Sequence, residues 1–541
     1  MQPRVIVIGL DAATFDLIEP WSAAGHLPAI STVTRQGASG RLLSTPNMHS
    51  ASAWTSILTG LNPGRHGLFV FSDRDYATGD QVFFKGGDRD GSTIVSHLNR
   101  HQLSSGLLNV PMTYPAECSS GGFAVSGLDA PSLNADAFCP AALRAELLSR
   151  FPEYSFTPKG LGRMMETGDL DGAMASWMAL IETQTRAAEY LLDARPVDFF
   201  MTVYTASDWG GHNLWKYLDQ ADQVADKRPQ PLLKIYKALD AAVERLLARA
   251  ADGTQVYVIS DHGMGRHSGA SYHLPEWLEQ KGYLSRSKRP AQSSIVGSAG
   301  QLARKWIPQT IKDRIKTQIS QDRLRSLQSS EKDTFFESID WSRTTAYSEP
   351  GRHVININLE GRNRGGTVPA DKYDELCRQL IDDLSGWTDS QGRFVVDKTT
   401  RREDVYGGHH SGRSSDLFVH WNPVASVGPP PAEIRERGFW WSGDHRPEGV
   451  LICKGPGIQS GARIDNATVY DLVPTILYLA GLSVPEGLDG RVIEQACSAE
   501  FLEANKPTIA GDTASQPGGS SQLSESEEQL IEQKLRDLGY L

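Results

Sequence analysis

The chain has 541 residues, with 54 Lys+Arg against 65 Asp+Glu and a formal charge of −11. That length suits one large domain or a few smaller ones, and the acidic balance argues against a nucleic-acid coat, because phosphate backbones select basic surfaces. Hydrophobic residues at 39% and charged residues at 22% lie near globular averages and exclude a collagen, a disulfide scaffold or wholesale disorder.

The N-terminal MQPRVIVIGLD gives a first strand at Val5–Gly9. Its apolar run is too short for a signal segment, and no later run approaches the ~20 apolar residues of a membrane span, so the expected location is cytoplasmic. Ser52–Thr59 reads as a short helix ended by Gly60, followed by the turn Asn62-Pro63-Gly64. Strands are expected at Leu107–Val110, Phe199–Tyr204, Gln255–Ser260 and Val450–Cys453, and helices at Ala173–Ala194 and Leu232–Ala250. In the latter, Tyr236, Leu239, Val243 and Leu246 or Leu247 form one buried stripe. Strands alternating with helices predict an α/β fold.

The composition changes after Leu284. SRSKRPAQSSIVGSAG is polar and small, and Gln301–Leu327 is basic, with Arg304, Lys305, Lys312, Arg314, Lys316, Arg323 and Arg325 against Asp313 and Asp322. That segment reads either as a solvated helical face or as a flap that attracts phosphate or an anionic membrane. A strand at Val354–Leu359 and a helix at Lys372–Leu384 follow. The expected organisation is a catalytic core over 1–284, an inserted cap over 285–400, the rest of the core over 401–500, and a linker with a C-terminal helix over 501–541. Within that tail, Lys506–Ser524 is the linker and Glu525–Leu538 the helix. Cys118, Cys139, Cys377, Cys453 and Cys497 are far apart, odd in number and form no CxxC pair, which predicts reduced structural thiols.

Chemistry concentrates where parallel sheets keep ligands, beyond the carboxyl ends of strands. Asp11 follows the first strand, Asp208 and His212 follow Phe199–Tyr204 at D-x-x-x-H spacing, Asp261 and His262 end the next strand in a Gly-rich loop, and His445 precedes Val450–Cys453. Singly, each reads equally as a cap or a core polar residue; together they make a sulfur-free set of three Asp and three His that suits Zn2+ or Mn2+. Six such ligands suffice for two ions that each keep an open position. Ser50 stands at or just before a helix N-terminus, open to two readings: a simple N-cap, or a hydroxyl placed where the helix favours an anion.

The blocks GLDAATFD, W-T-S-I-L-T-G-L-N-P-G-R-H-G, NVPMTYP, SGLDAPS, SDHGMG, GDHRPEG and DLVPTILYLAGLSVPEGLDG together resemble the type I phosphodiesterase/nucleotide pyrophosphatase branch of the alkaline phosphatase superfamily. The resemblance runs over nearly the whole chain, including IDWSRTTAYS at Ile339–Ser348, INLEGR at Ile357–Arg362 and the closing LRDLGYL. It implies an alkaline-phosphatase-like three-layer sandwich around a mostly parallel sheet, two divalent ions, and a small phosphate-ester substrate with no stable nucleic-acid complex. It further implies that Ser50, four residues before Trp54, is the nucleophile and forms a covalent phosphoserine. Asp11, Ser50, Asp261 and His262 would hold one ion, and Asp208, His212 and His445 the other.

Two departures bear on the reaction. Nucleotide pyrophosphatases carry an Asn 21 residues after the nucleophile, where this chain has Phe71. Asn109 and Arg65 are the candidate substitute donors, against readings in which Asn109 caps a turn and Arg65 braces a loop. The nucleophile is Ser where many relatives have Thr, which keeps the hydroxyl. Ser50-Ala51-Ser52-Ala53-Trp54 lacks the Pro and Arg of the sulfatase motif. Trp54, Phe69, Phe71 and Trp209 are candidates for an apolar cleft wall or for core. Phosphodiester hydrolysis is therefore the leading expectation, with monoesterase or phosphonate hydrolase activity, or a non-catalytic metal-dependent binder, as alternatives.

Overall fold

In a computed structural model, residues 2–219, 230–287, 335–431, 441–511 and 522–538 are described. The basic segment Gln301–Leu327 lies outside them.

Nine strands form the central sheet, in spatial order Arg463–Thr468, Ala38–Leu43, Glu448–Lys454, Gln255–Ile259, Val5–Leu10, Phe199–Tyr204, Ser105–Val110, Phe123–Ser126 and Phe138–Cys139. The five from Gln255–Ile259 to Phe123–Ser126 run parallel, Glu448–Lys454 runs antiparallel to both neighbours, and Phe138–Cys139 closes the far edge antiparallel. The expected mixed, mostly parallel sheet with helices on both faces is what the chain forms.

Every residue of Val5–Leu10 and Phe199–Tyr204 is buried, because both faces of these strands are covered. Alternation then divides the core. Ile6, Ile8 and Leu10 point into an apolar cluster with the helices Leu170–Ala194 and Pro231–Leu247, whereas Val5 and Val7 point into a second cluster with the helices Ser50–Thr59 and Leu472–Leu479. Tyr236, Leu239, Val243 and Leu246 all lie in the first cluster, as their spacing predicts. The C-terminal helix Glu525–Leu538 docks there too, through Ile531, Leu535 and Leu538.

A separate apolar cluster spans Ala270 to Ala425. It is organised by a four-stranded antiparallel sheet in the order Ala346–Tyr347, Val354–Ile357, Leu417–Trp421, Val396–Arg401. The helix Tyr373–Ser385 contributes Cys377, Leu380 and Leu384 to this core.

One expectation about the cysteines is corrected. Cys118 and Cys139 form a disulfide with Cα atoms 5.9 Å apart, while Cys377, Cys453 and Cys497 are free and buried. The antiparallel pairing of Phe138–Cys139 with Phe123–Ser126 brings the two together, a juxtaposition that odd number and wide spacing could not reveal.

Candidate active site

Strand register assembles the site. Gly9 is level with Ile259 and Leu10 with Tyr204 in parallel ladders. Asp11 and Asp261 therefore leave neighbouring strands at the same height, and Asp208 enters on the first turn of the helix Ala206–Leu214. His445 arrives at this edge because its strand runs the other way, so the segment before the strand lies beside the ends of its neighbours; it pairs directly with Met264, two residues beyond His262.

The side chains converge in a buried cluster. His262 Nε2 lies 3.2 Å from Asp261 Oδ2 and 3.8 Å from Asp11 Oδ1. Asp208 Oδ1 lies 3.3 Å from His212 Nε2 and 3.2 Å from His445 Nε2, and those two nitrogens are 2.9 Å apart. Asp11, Asp208, Asp261, His212 and His262 are all at most 2% exposed.

The other ring nitrogens fix the tautomers. Nδ1 of His212 meets the Gly443 carbonyl at 3.0 Å, Nδ1 of His262 the Gly263 carbonyl at 3.1 Å, and Nδ1 of His445 the Met48 carbonyl at 2.7 Å. A carbonyl only accepts, so each Nδ1 carries a proton and leaves Nε2 facing inward, the atom through which a neutral imidazole binds a metal. The Nε2 atoms of His212 and His445, 2.9 Å apart, can share a proton or a cation.

The carboxylates point to the same ligand. Burial first, then the charges of Asp261 and Asp208, raises Asp11 well above the ordinary carboxyl value. Burial likewise pushes Asp261 up to about 6. Among the described residues, Asp11 Oδ1 and Asp261 Oδ2 are buried without a hydrogen-bond partner, an arrangement that is costly unless a cation compensates it. Burial also disfavours ionised Asp208, but His212 and then His445 hold its carboxyl well below the usual range. Asp11, Asp261 and His262 form one candidate ligand group and Asp208, His262 and His445 another. The residues present therefore fit divalent ions.

Ser50 is the first residue of the helix Ser50–Thr59, and the cap is His49, whose Nδ1 accepts from Ala51 N at 3.2 Å. The N-cap reading of Ser50 is thus answered by its neighbour. Ser50, 1% exposed, instead donates its hydroxyl to His262 Nε2 at 3.1 Å. Met48, whose carbonyl holds His445, has φ +47°, and Ala12, between Asp11 and the rest of its loop, has φ +56°. Such backbone is uncommon without glycine and concentrates at functional sites. Ala12 N donates to Asp261 Oδ1 at 3.2 Å, which ties the two carboxylate loops together.

Three contributors were not legible as such. Trp54, a wall-or-core candidate, donates Nε1–H to Asp11 Oδ2 at 3.0 Å. Gly9 makes room for it: a Cβ there would meet the indole at 2.5 Å. Trp441 stacks on His212 with centroids 3.8 Å apart. Asp444 Oδ1 accepts from His445 N at 3.0 Å and lies 2.9 Å from His353 Nε2. Trp54 and Trp441 lie far along the chain from the ligands they hold, and Asp444, next to His445, is tied in through His353 as well.

The substrate-binding candidates separate. Arg65 turns to Asp489 Oδ1 at 3.2 Å and to the Gly487 carbonyl. Phe71 is 2% exposed and packs edge-on against His49 at 5.1 Å. Asn109 lies at the carboxyl end of Ser105–Val110 with φ +59°. Tyr154 donates to its Oδ1, while its Nδ2 is buried without a partner among the described residues. Phe69 packs with Tyr406 and Phe418, and Trp209 lies in the main core.

A model of the type I phosphodiesterase / nucleotide pyrophosphatase family matches residues 5–428. The chain belongs to this family. Of the site residues expected from the sequence, Asp11, Ser50, Asp208, His212, Asp261 and His262 fall within the matched residues, and His445 lies beyond them. Among solved structures, the chain is similar to phosphonoacetate hydrolase from Sinorhizobium meliloti 1021 in complex with phosphonoformate, with 13% identity, 87% of this chain and 95% of that chain covered, and a TM-score of 0.48. It is also similar to human ectonucleotide pyrophosphatase / phosphodiesterase 5, with 10% identity, coverage of 93% and 99%, and a TM-score of 0.48. No curated protein matches the sequence. Among the described residues, no helix is long and apolar enough to cross a membrane.

Proposed function

We propose that this type I phosphodiesterase family member is a dimetal-dependent phosphodiesterase that works through a covalent phosphoserine at Ser50. The observation that carries the reading is Ser50 Oγ, at the start of a ten-residue helix and 3.1 Å from His262 Nε2, beside three inward-facing imidazoles and three buried carboxylates.

Asp11, Asp261, His262 and Ser50 would hold one ion, and Asp208, His212 and His445 the other, Zn2+ before Mn2+ for this donor set. Bound there, such ions supply Lewis-acid activation of a hydroxyl and of a phosphoryl oxygen. The chain contributes the rest. His262 Nε2, which the Ser50 hydroxyl meets at 3.1 Å, would be committed to the ion, so the Ser50 proton is released to solvent water, and the helix terminus favours the developing oxyanion. In the first step a bond forms from Ser50 Oγ to phosphorus as the bond to the leaving oxygen breaks; in the second, water adds to phosphorus and Ser50 Oγ leaves. Asn109 Nδ2, a donor buried without a partner among the described residues, is the substrate-binding group we favour. Arg65 is committed elsewhere. With Phe71 at the pyrophosphatase Asn position, the reading favours diesters that are not nucleoside polyphosphates.

The Cys118–Cys139 bridge favours an oxidising compartment.

Purified protein assayed on bis-p-nitrophenyl phosphate and p-nitrophenyl phosphate, with and without chelator, tests the proposal. The expected result is chelator-sensitive release that is faster from the diester. Preference for the monoester would support the monoesterase alternative, and no release from metal-replete protein would support a binder.

A further inference from the structure

Away from the active site, the loop GGHHSG at 407–412 lies against the turn that follows the nucleophile helix. His409 Nε2 and His410 Nε2 approach the same carboxylate oxygen, Asp90 Oδ2, at 2.9 and 2.7 Å. The three ligand atoms all lie within 4.8 Å of one another.

The contact is a seated one. His410 N donates to the Gly64 carbonyl at 2.9 Å, and Asp90 N to the His66 carbonyl at 3.0 Å. Gly408 has φ +116°, and a Cβ on it would meet the Gly64 carbonyl oxygen at 2.4 Å; one on Gly67 would meet the His410 ring at 2.8 Å. Close backbone approach on both sides delivers the two imidazoles to Asp90.

We infer that Asp90, His409 and His410 form a third divalent-cation site, for Zn2+ or a similar borderline ion. Two imidazoles and one carboxylate are a ligand set for such ions, and an open coordination position would be filled by water. Ligand atoms bonded at about 2.0–2.1 Å to a tetrahedral ion sit about 3.3 Å apart, so separations of 2.7 and 2.9 Å need to open by only a few tenths of an ångström. The active site presents the same two-His, one-Asp pattern on Asp208 at 3.3 and 3.2 Å.

An ion there would fasten the loop that leads into the strand Leu417–Trp421 of the antiparallel sheet to the turn behind the Ser50 helix. His66, whose carbonyl accepts from Asp90 N, meets Ser56 Oγ through Nε2 at 3.0 Å, and Ser56 lies on that helix. The site is therefore a structural staple, distinct from the ions that serve the reaction.

The test compares the full-length wild type with His409→Ala/His410→Ala and with Asp90→Asn, each equilibrated in zinc-buffered solution and counted by plasma mass spectrometry. The variants should each bind one Zn2+ per chain fewer than wild type, with bis-p-nitrophenyl phosphate hydrolysis within about threefold of it. A crystal grown with zinc should give an anomalous peak between the three side chains at the zinc edge. Equal metal counts in wild type and in both variants, or no anomalous peak there, would overturn the proposal and leave the triad as hydrogen bonds alone. Asp90→Asn keeps the side-chain volume, so it reads the site even if the double variant misfolds.

Discussion

Trp54→Phe tests whether the tryptophan beneath the metal ligands positions Asp11 or merely fills the core. Phenylalanine keeps an aromatic ring over Gly9 but removes the Nε1–H that reaches Asp11 Oδ2 at 3.0 Å. Trp54 is fully buried and Asp11 is 2% exposed, so water cannot replace the lost donor without disturbing the packing. A hydrogen bond to a charged group contributes about 1.5–3 kcal/mol. Asp11 is raised well above the ordinary carboxyl value by burial and by Asp261, so without cations the protonated form needs the donor less, and the loss falls mainly on the metal-loaded state. At 1.4 kcal/mol per decade, the affinity of the site that uses Asp11 should weaken about 10- to 150-fold. Chelator-buffered Zn2+ titrations, read by bound metal and by hydrolysis, measure this directly, with circular dichroism as the check on folding. An unchanged affinity in a folded variant would refute the positioning role and return Trp54 to the core.

Other substitutions test the frame around the site. Gly60→Ala places a Cβ at φ +70°, 3.3 Å from Leu488 and Val473, and should cost about 1–2 kcal/mol in urea unfolding. Burial depresses His420 to about 4 from its ordinary 6.5. The unfolded chain therefore takes up this proton first, and stability present above pH 6.5 is lost as pH falls toward 4, by on the order of 3 kcal/mol; His420→Gln should flatten that part of the pH–stability profile. Cys118 and Cys139 are 21 residues apart, so Cys118→Ala/Cys139→Ala should lower unfolding free energy by about 3 kcal/mol, and reduction of the wild type should do the same.

What the sequence displayed best was whatever chemistry repeats locally. Asp208 and His212 are four residues apart on a helix, Asp261 and His262 are adjacent, and the buried strands announce themselves as apolar runs. His445 was legible only as a histidine just before a strand, because its place among the other ligands depends on an antiparallel strand lying beside parallel ones. Features that depend on distant pairing stayed hidden. Trp54 reaches Asp11 across 43 positions, Met48 holds His445 across 397, and Asp90 meets His410 across 320. The helix start shifted from Ser52 to Ser50 because His49 supplies the cap, and histidine is not among the residues that ordinarily signal one. The Cys118–Cys139 bond was missed for the same reason, since sheet-edge geometry rather than spacing made it.

Trapping the nucleophile is the most direct test of the proposed mechanism. Rapid acid quench of metal-replete enzyme with bis-p-nitrophenyl phosphate, followed by tryptic digestion and mass spectrometry, should show a p-nitrophenyl-phosphoryl group on the Leu42–Arg65 peptide, attached to Ser50. Ser50→Ala should lose both the adduct and turnover while still binding metal through the remaining ligands. Sustained hydrolysis by Ser50→Ala, with no adduct on that peptide in the wild type, would contradict the account.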